Sequence, residues 1–241
     1  LCDLDTIIPT LNKLINSIET FDITTVRASY GMYTLSEYIK HNSDHTVILS
    51  GEGSDEVFGG YLYFHDAPNA YDFDKECKNL VRNLPYYDVL RADRCTAGHS
   101  LELRVPFLDY SFVNEVFSID PKLRQPFNNF EKYILRKAFE DLLPENVIWR
   151  RKEGFSDGVG GKKSWFTIIQ DYAENCISNE EFDELNKECN LKLLSKEAAL
   201  YFKIYKLHYP HFKCVRKYWM PKWQENCNDP SGRKTKAWDD N

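Results

Sequence analysis

The chain has 241 residues, a formal net charge of -6 and 42% hydrophobic residues, enough to bury a core as one large domain or as a domain with an appendage. That acidic balance argues against a general nucleic-acid binder, and no apolar run approaches the roughly 18 residues of a membrane span, so neither nucleic acid nor membrane is an expected partner. Seven cysteines without a Cys-x-x-Cys pair argue against a disulfide framework; a reducing, cytoplasmic setting is the expectation, and no secretory signal opens the chain.

Apolar residues at Ile7, Ile8, Leu11, Leu14, Ile15 and Ile18 have the spacing of one helical face, predicting a helix over 7–18 that starts near Pro9. Residues 21–27 read as a short strand or loop leading to a helix over 30–41. Arg27 then lies at the end of a strand, either facing a crevice shared with Glu52 or as a surface arginine. Val47, Ile48 and Leu49 read as a short buried strand. Ser50-Gly51-Glu52-Gly53 is a tight loop, and Ser54-Asp55-Glu56 opens a helix. A strand, loop and helix in that order direct backbone N–H groups at one point, a place for phosphate, although the same pattern also serves as an ordinary turn. Glu52 in such a loop needs a compensating cation, metal or proton, which points to chemistry.

Beyond Tyr61 the pattern turns helical, with an amphipathic helix over 79–96 interrupted near Pro85. Residues 101–109 read as extended before Pro106, with Glu102 and Arg104 on one side as a structural ion pair. Residues 129–143 form the clearest helix on periodicity, with Lys132, Arg136 and Glu140 on a solvated face that carries no chemistry. Arg150-Arg151-Lys152, flanked by Trp149 and Phe155, reads either as a solvated turn or as a packed loop with one cation pointing inward. Helices over 164–176 and 195–209 follow, joined by an acidic polar stretch, with Tyr201, Phe202, Tyr205 and Tyr209 as core. His208, His211, Cys214 and Cys227 are residue types that zinc accepts; the competing reading is a helix end around Pro210. Residues 221–241 form a polar tail after a domain over 1–220.

Several strings together resemble one family. Ser50-Gly51-Glu52-Gly53-Ser54-Asp55-Glu56 with Gly59-Gly60-Tyr61, Thr24-Thr25-Val26-Arg27, Glu102-Leu103-Arg104-Val105-Pro106-Phe107-Leu108-Asp109, and Arg151-Lys152-Glu153-Gly154-Phe155-Ser156-Asp157-Gly158 are similar to the synthetase domain of glutamine-hydrolysing asparagine synthetases. The tail, with Trp219, Trp223 and Asp229-Pro230-Ser231, resembles eukaryotic members. The resemblance runs from about residue 18 to 231. It implies an α/β fold of the adenine-nucleotide alpha-hydrolase-like class, here mostly helical with one or two remaining parallel strands.

The resemblance also implies that ATP adenylates aspartate with release of pyrophosphate, and that ammonia drawn from glutamine then displaces AMP. Ser50 and Gly51 would contact ATP, Asp55 would hold magnesium, Lys152 and Arg27 would stabilise phosphoryl charge, and Glu52 would orient ammonia. The family's Ser-Gly-Gly-x-Asp-Ser pyrophosphate loop and its glutaminase sequence do not occur in these residues, so Cys2 is not read as the glutaminase nucleophile and the chain by itself is expected to be inactive. A non-catalytic nucleotide-binding fragment and a β-lactam-synthetase-like adenylating enzyme are the alternatives. A sheet shorn of neighbours exposes an edge and invites self-association; the resemblance also leaves room for a homodimer of the parent enzyme.

Overall fold

A computed structural model of the chain describes residues 4–152, 165–211, 215, 217–224 and 230. It divides into two compact units, one comprising Leu1–Ile48, Leu90–Leu103 and Gly154–Trp219, the other Leu49–Val89, Arg104–Glu153 and Met220–Asn241.

The first unit is built of helices. Helix α1 (Leu4–Ile18) buries Ile7, Leu11, Leu14, Ile15 and Ile18 completely, as their spacing requires, and it begins early enough that Pro9 lies inside it. Helix α2 (Ile23–Asn42) corrects the expected strand or loop over 21–27. Ile-Thr-Thr-Val carries β-branched side chains, but Asp22 caps the helix, accepting from Thr25 N at 2.9 Å and Thr25 Oγ1 at 2.7 Å, while Ile23 and Val26 sink into the core. Helices α10 (Trp165–Cys176) and α12 (Lys196–His208) match the predicted segments, and α12 packs against α1, α2 and α10. Tyr201 and Tyr205 are fully buried there, and Trp165 stacks on Tyr30 with ring centroids 4.6 Å apart. The acidic stretch between these helices is itself helix α11 (Asn179–Glu188). Its signal is a Ser-x-x-Glu capping box, in which Ser178 Oγ accepts from Glu181 N at 3.1 Å.

Strands β1 (Val47–Leu49) and β2 (Glu102–Arg104) are parallel, joined where Thr46 O accepts from Glu102 N at 2.7 Å and Arg104 O accepts from Ser50 N at 2.9 Å. Val47 and Leu49 are exposed, which corrects the expectation of a buried strand, because no layer covers their side chains among the described residues. Glu102 and Arg104 are exposed on either side of Leu103.

In the second unit the five-residue helix α3 (Ser54–Phe58) packs on α4 (Ala70–Asn83) and on α6 (Tyr110–Ser118). A 3-10 turn over Leu84–Tyr86 follows α4 at Pro85, as the interrupted periodicity predicts, and then comes α5 (Asp88–Ala97), whose residues from Leu90 onward belong to the first unit. Helix α7 (Pro121–Arg124) precedes the largest departure from expectation. Of residues 129–143 only Tyr133–Ala138 are α-helical, as α8, before α9 (Glu145–Ile148). Asn128 and Asn129 adopt positive φ, and Phe127 and Phe130 exchange N–H···O bonds of 3.1 and 3.0 Å, so the chain turns back on itself where periodicity alone implies continuation.

Candidate functional site

The loop after β1 is held by its own backbone and side chains. Ser50 Oγ accepts from Glu52 N at 3.3 Å, and Gly51 O accepts from Ser54 N at 3.3 Å. Gly53 has φ +89°, and a Cβ there would meet Leu108 Cδ2 at 2.3 Å, so glycine is required by conformation and by packing alike. At Gly51 the position of a Cβ has no neighbour within 4 Å; the loop's backbone there faces open space. Ser50 and Glu52 are half-buried beside it.

Asp55, in the first turn of α3, is the centre of the site. Its Oδ1 accepts from Lys132 Nζ at 2.8 Å and its Oδ2 from Lys152 Nζ at 2.8 Å. Burial opposes its ionisation, but the adjoining Lys152 and Lys132 ammonium groups outweigh burial and hold its carboxyl below the usual carboxylate range. The carboxylate has close company on its other side: a Cβ on Gly60 would lie 2.0 Å from Asp55 Oδ1 and 2.9 Å from Lys132 Cδ. Lys152 Nζ also lies 5.8 Å from the centre of the Tyr61 ring.

Next to Asp55, the Glu56 carboxyl is buried and accepts a hydrogen bond from Tyr61 Oη, which also lies 3.5 Å from Asp88 Oδ2. Burial, reinforced by the negative charges of Asp88 and Asp55, pushes Glu56 up to about 8, so it carries a proton at neutral pH. Burial and the same carboxyl groups push the Tyr61 phenol far up. One ionised carboxylate between two ammonium groups therefore adjoins a protonated one.

The expected site residues thus separate. Asp55 and Lys152 meet, which resolves the Arg150-Arg151-Lys152 run in favour of a packed loop with Lys152 turned inward; Phe155 lies outside the described residues. Lys132, read from periodicity as solvated, is the other cation on Asp55, and Arg136 on the same supposed solvated face is buried. Periodicity missed them because it assumed one long helix. Glu56, Tyr61 and Asp88 were also missed, and no pattern in the sequence marks a buried, protonated carboxyl. Magnesium was expected at Asp55, but each of its oxygens already accepts an ammonium N–H, and two adjacent cations disfavour a dication. As arranged, the donor set does not fit a metal at Asp55. Among the described residues no group of three or more His, Cys, Asp or Glu is placed to hold one. His208 Nε2 lies 3.1 Å from Asn12 Oδ1, while Cys214 and Cys227 lie outside the described residues.

Arg27 corrects both readings made of it. It lies within α2 of the first unit, 4% exposed, and its Nε and Nη2 donate to Glu197 Oε1 and Oε2 at 2.7 and 2.6 Å. Tyr201 Oη and Gln170 Nε2 donate to the same carboxylate at 2.9 and 3.0 Å, and the guanidinium lies 4.9 Å over the Phe166 ring.

Comparison with known proteins bears on this geometry. The family model described as asparagine synthase matches residues 2–77 and 69–207. Proteins named asparagine synthetase (glutamine-hydrolysing) from Mus musculus and Homo sapiens are 48% and 47% identical over 231 residues, 94% of this chain and 41% of each relative. One from Gallus gallus is 47% identical over 234 residues, 95% of this chain and 42% of its own length. The chain therefore spans about two-fifths of the length of these relatives. With matches over most of its residues, the chain belongs to the asparagine synthase family.

Proposed function

We propose that the chain is the part of an ATP-dependent asparagine synthetase that controls charge at the reacting phosphate, within a synthetase domain of the adenine-nucleotide alpha-hydrolase-like class. The observation that carries this reading is Lys152, brought from a loop 97 residues away in the sequence to Asp55 behind the Ser50–Gly53 turn. An ammonium group in that place can neutralise charge on a transferring phosphoryl group and a departing pyrophosphate. Ser50 and Gly51 edge the open space in which the nucleotide would lie, and Gly51 has room for its close approach. The carboxylate of aspartate would attack the α-phosphorus of ATP, giving β-aspartyl-AMP and pyrophosphate. Ammonia, supplied from glutamine by the parent enzyme, would then displace AMP, with Glu52 orienting the nitrogen and accepting the proton it loses. Arg27, paired with Glu197 inside the first unit, takes no part in this reading. Magnesium enters with ATP as part of the substrate.

The test is pyrophosphate release by the protein that carries this chain at its natural length, given aspartate, MgATP and ammonium. Release that requires aspartate and accompanies asparagine formation is the expected result. Absence of release, or release coupled to ring closure of another carboxylate, would overturn the reading.

A further inference from the structure

The polar tail begins with a docked segment. Trp223 has a φ of +60°, a left-handed backbone that strains a bulky residue and persists only where the surroundings impose it. Those surroundings are aromatic. The Trp223 ring lies 5.9 Å from the ring of Tyr63 and 6.0 Å, edge to face, from that of Phe64, and both of these residues are buried.

The preceding Lys222 adds charge to the contact. Its Nζ lies 3.2 Å from Oε2 of Glu76, a buried carboxyl group on α4, and 5.0 Å from the centre of the Trp223 ring. Burying a carboxylate is costly unless it is paired, and Lys222 supplies a charge partner. Glu76 Oε1 also accepts from Tyr63 Oη at 3.3 Å. The tail therefore bears on Tyr63 twice, at its ring through Trp223 and at its hydroxyl through Glu76.

Tyr63 in turn stacks on Tyr61, with ring centroids 6.0 Å apart and planes 11° from parallel. Tyr61 Oη donates to Glu56, and its ring centre lies 5.8 Å from Lys152 Nζ. A line of packed rings thus leads from the tail to Lys152. Close packing transmits position along such a line, because a ring in contact on both sides has no void to move into.

We infer that residues 221–224 are a positioning strap for the site: Trp223 fixes Tyr63, Tyr63 fixes Tyr61, and Tyr61 sets the place of the Lys152 ammonium group. Trp223 is a positioning residue that acts through Tyr61. The inference rests on the function proposed above, in which Lys152 acts on the transferring phosphoryl group, and gives the tail a part in it.

The experiment is steady-state pyrophosphate release by the natural-length protein with aspartate, MgATP and ammonium. Wild type is compared with Trp223→Leu, Trp223→Phe, Lys222→Met, Tyr61→Leu and the double variant Trp223→Leu/Tyr61→Leu, with a urea unfolding curve for each. Trp223→Leu, which stays apolar but loses the ring, should lower kcat about 10- to 100-fold while KM for ATP stays within about threefold. Trp223→Phe restores a ring and should recover most of the turnover. Lys222→Met loosens the same strap from its more exposed side, should lower kcat in the same direction, and decides the matter if Trp223→Leu does not fold. In the Tyr61→Leu background the Trp223→Leu change should have little further effect, because the two residues act in one line. An equal loss in both backgrounds, or a kcat within about twofold of wild type in both Trp223→Leu and Lys222→Met, would show that Trp223 only anchors the tail and would overturn the inference alone. Failure of the wild-type protein to release pyrophosphate would overturn the proposed function together with it.

Discussion

Two ion-paired centres, one in each unit, handle charge in opposite ways. Arg27 and Glu197 match one cation with one anion, 4% and 1% exposed, and the carboxylate takes further hydrogen bonds from Tyr201 and Gln170. Asp55 faces two cations, and all three side chains remain between 18% and 24% exposed. A matched, closed pair has its donors and acceptors satisfied internally and behaves as part of the core. An unmatched, open group keeps donors for something else. The difference teaches that proximity of opposite charges does not by itself mark a functional site; stoichiometry and access do.

The largest expected effect breaks the closed centre. Glu197→Leu leaves the Arg27 guanidinium buried without its partner and should cost about 3–5 kcal/mol in urea unfolding of the chain. The double variant Arg27→Met/Glu197→Leu should recover most of that loss, because it removes the stranded charge. If the double variant is as unstable as the single one, the pair is not the closed structural unit described.

The next effect disturbs the open centre and leaves the core alone. A Gly60→Ala methyl would lie 2.0 Å from Asp55 Oδ1 and displace the carboxylate that both lysines share. Pyrophosphate release should fall roughly 100-fold, the order of loss for a misplacement of about 1 Å, while the unfolding midpoint falls only by the share that the Asp55 ion pairs contribute. A large loss of stability with normal turnover would reverse the assignment.

Acidity offers a third way to separate the centres. Glu56 holds its proton to about 8 in the folded protein, against an ordinary value of 4.5. Its contribution to stability is therefore fully present below 4.5 and is lost as pH rises through about 8. Asp55, held below the usual range, contributes in the opposite sense: its share is present above the ordinary carboxylate value and lost only as acid protonates it. Thermal melts of wild type and Glu56→Gln across pH 5 to 9 should diverge in slope over that window, and parallel curves would refute the buried proton.

The smallest effect is a control at a residue that belongs to neither ion-paired group. Ser178→Ala removes the N-cap of α11 and should cost about 1 kcal/mol without altering pyrophosphate release.

The sequence by itself determined the local elements whose causes are local. The stripe of α1 follows from the spacing of Ile7, Leu11, Leu14 and Ile18, the break at Pro85 follows from its ring and missing N–H, and the turn before α3 follows from Gly51 and Gly53. The strings around Ser50 and Lys152 also carried the family. Tertiary structure alone decided where charge is matched and where it is left open. Lys132 looked solvated because helical periodicity ignores a turn at Asn128 and Asn129, and Arg27 looked available because its partner Glu197 is 170 residues away. The helical content of residues 23–27 was likewise settled by burial of Ile23 and Val26 against the core. A pairing between distant residues depends on which surfaces the packed elements bring together, and no window along the chain contains that information.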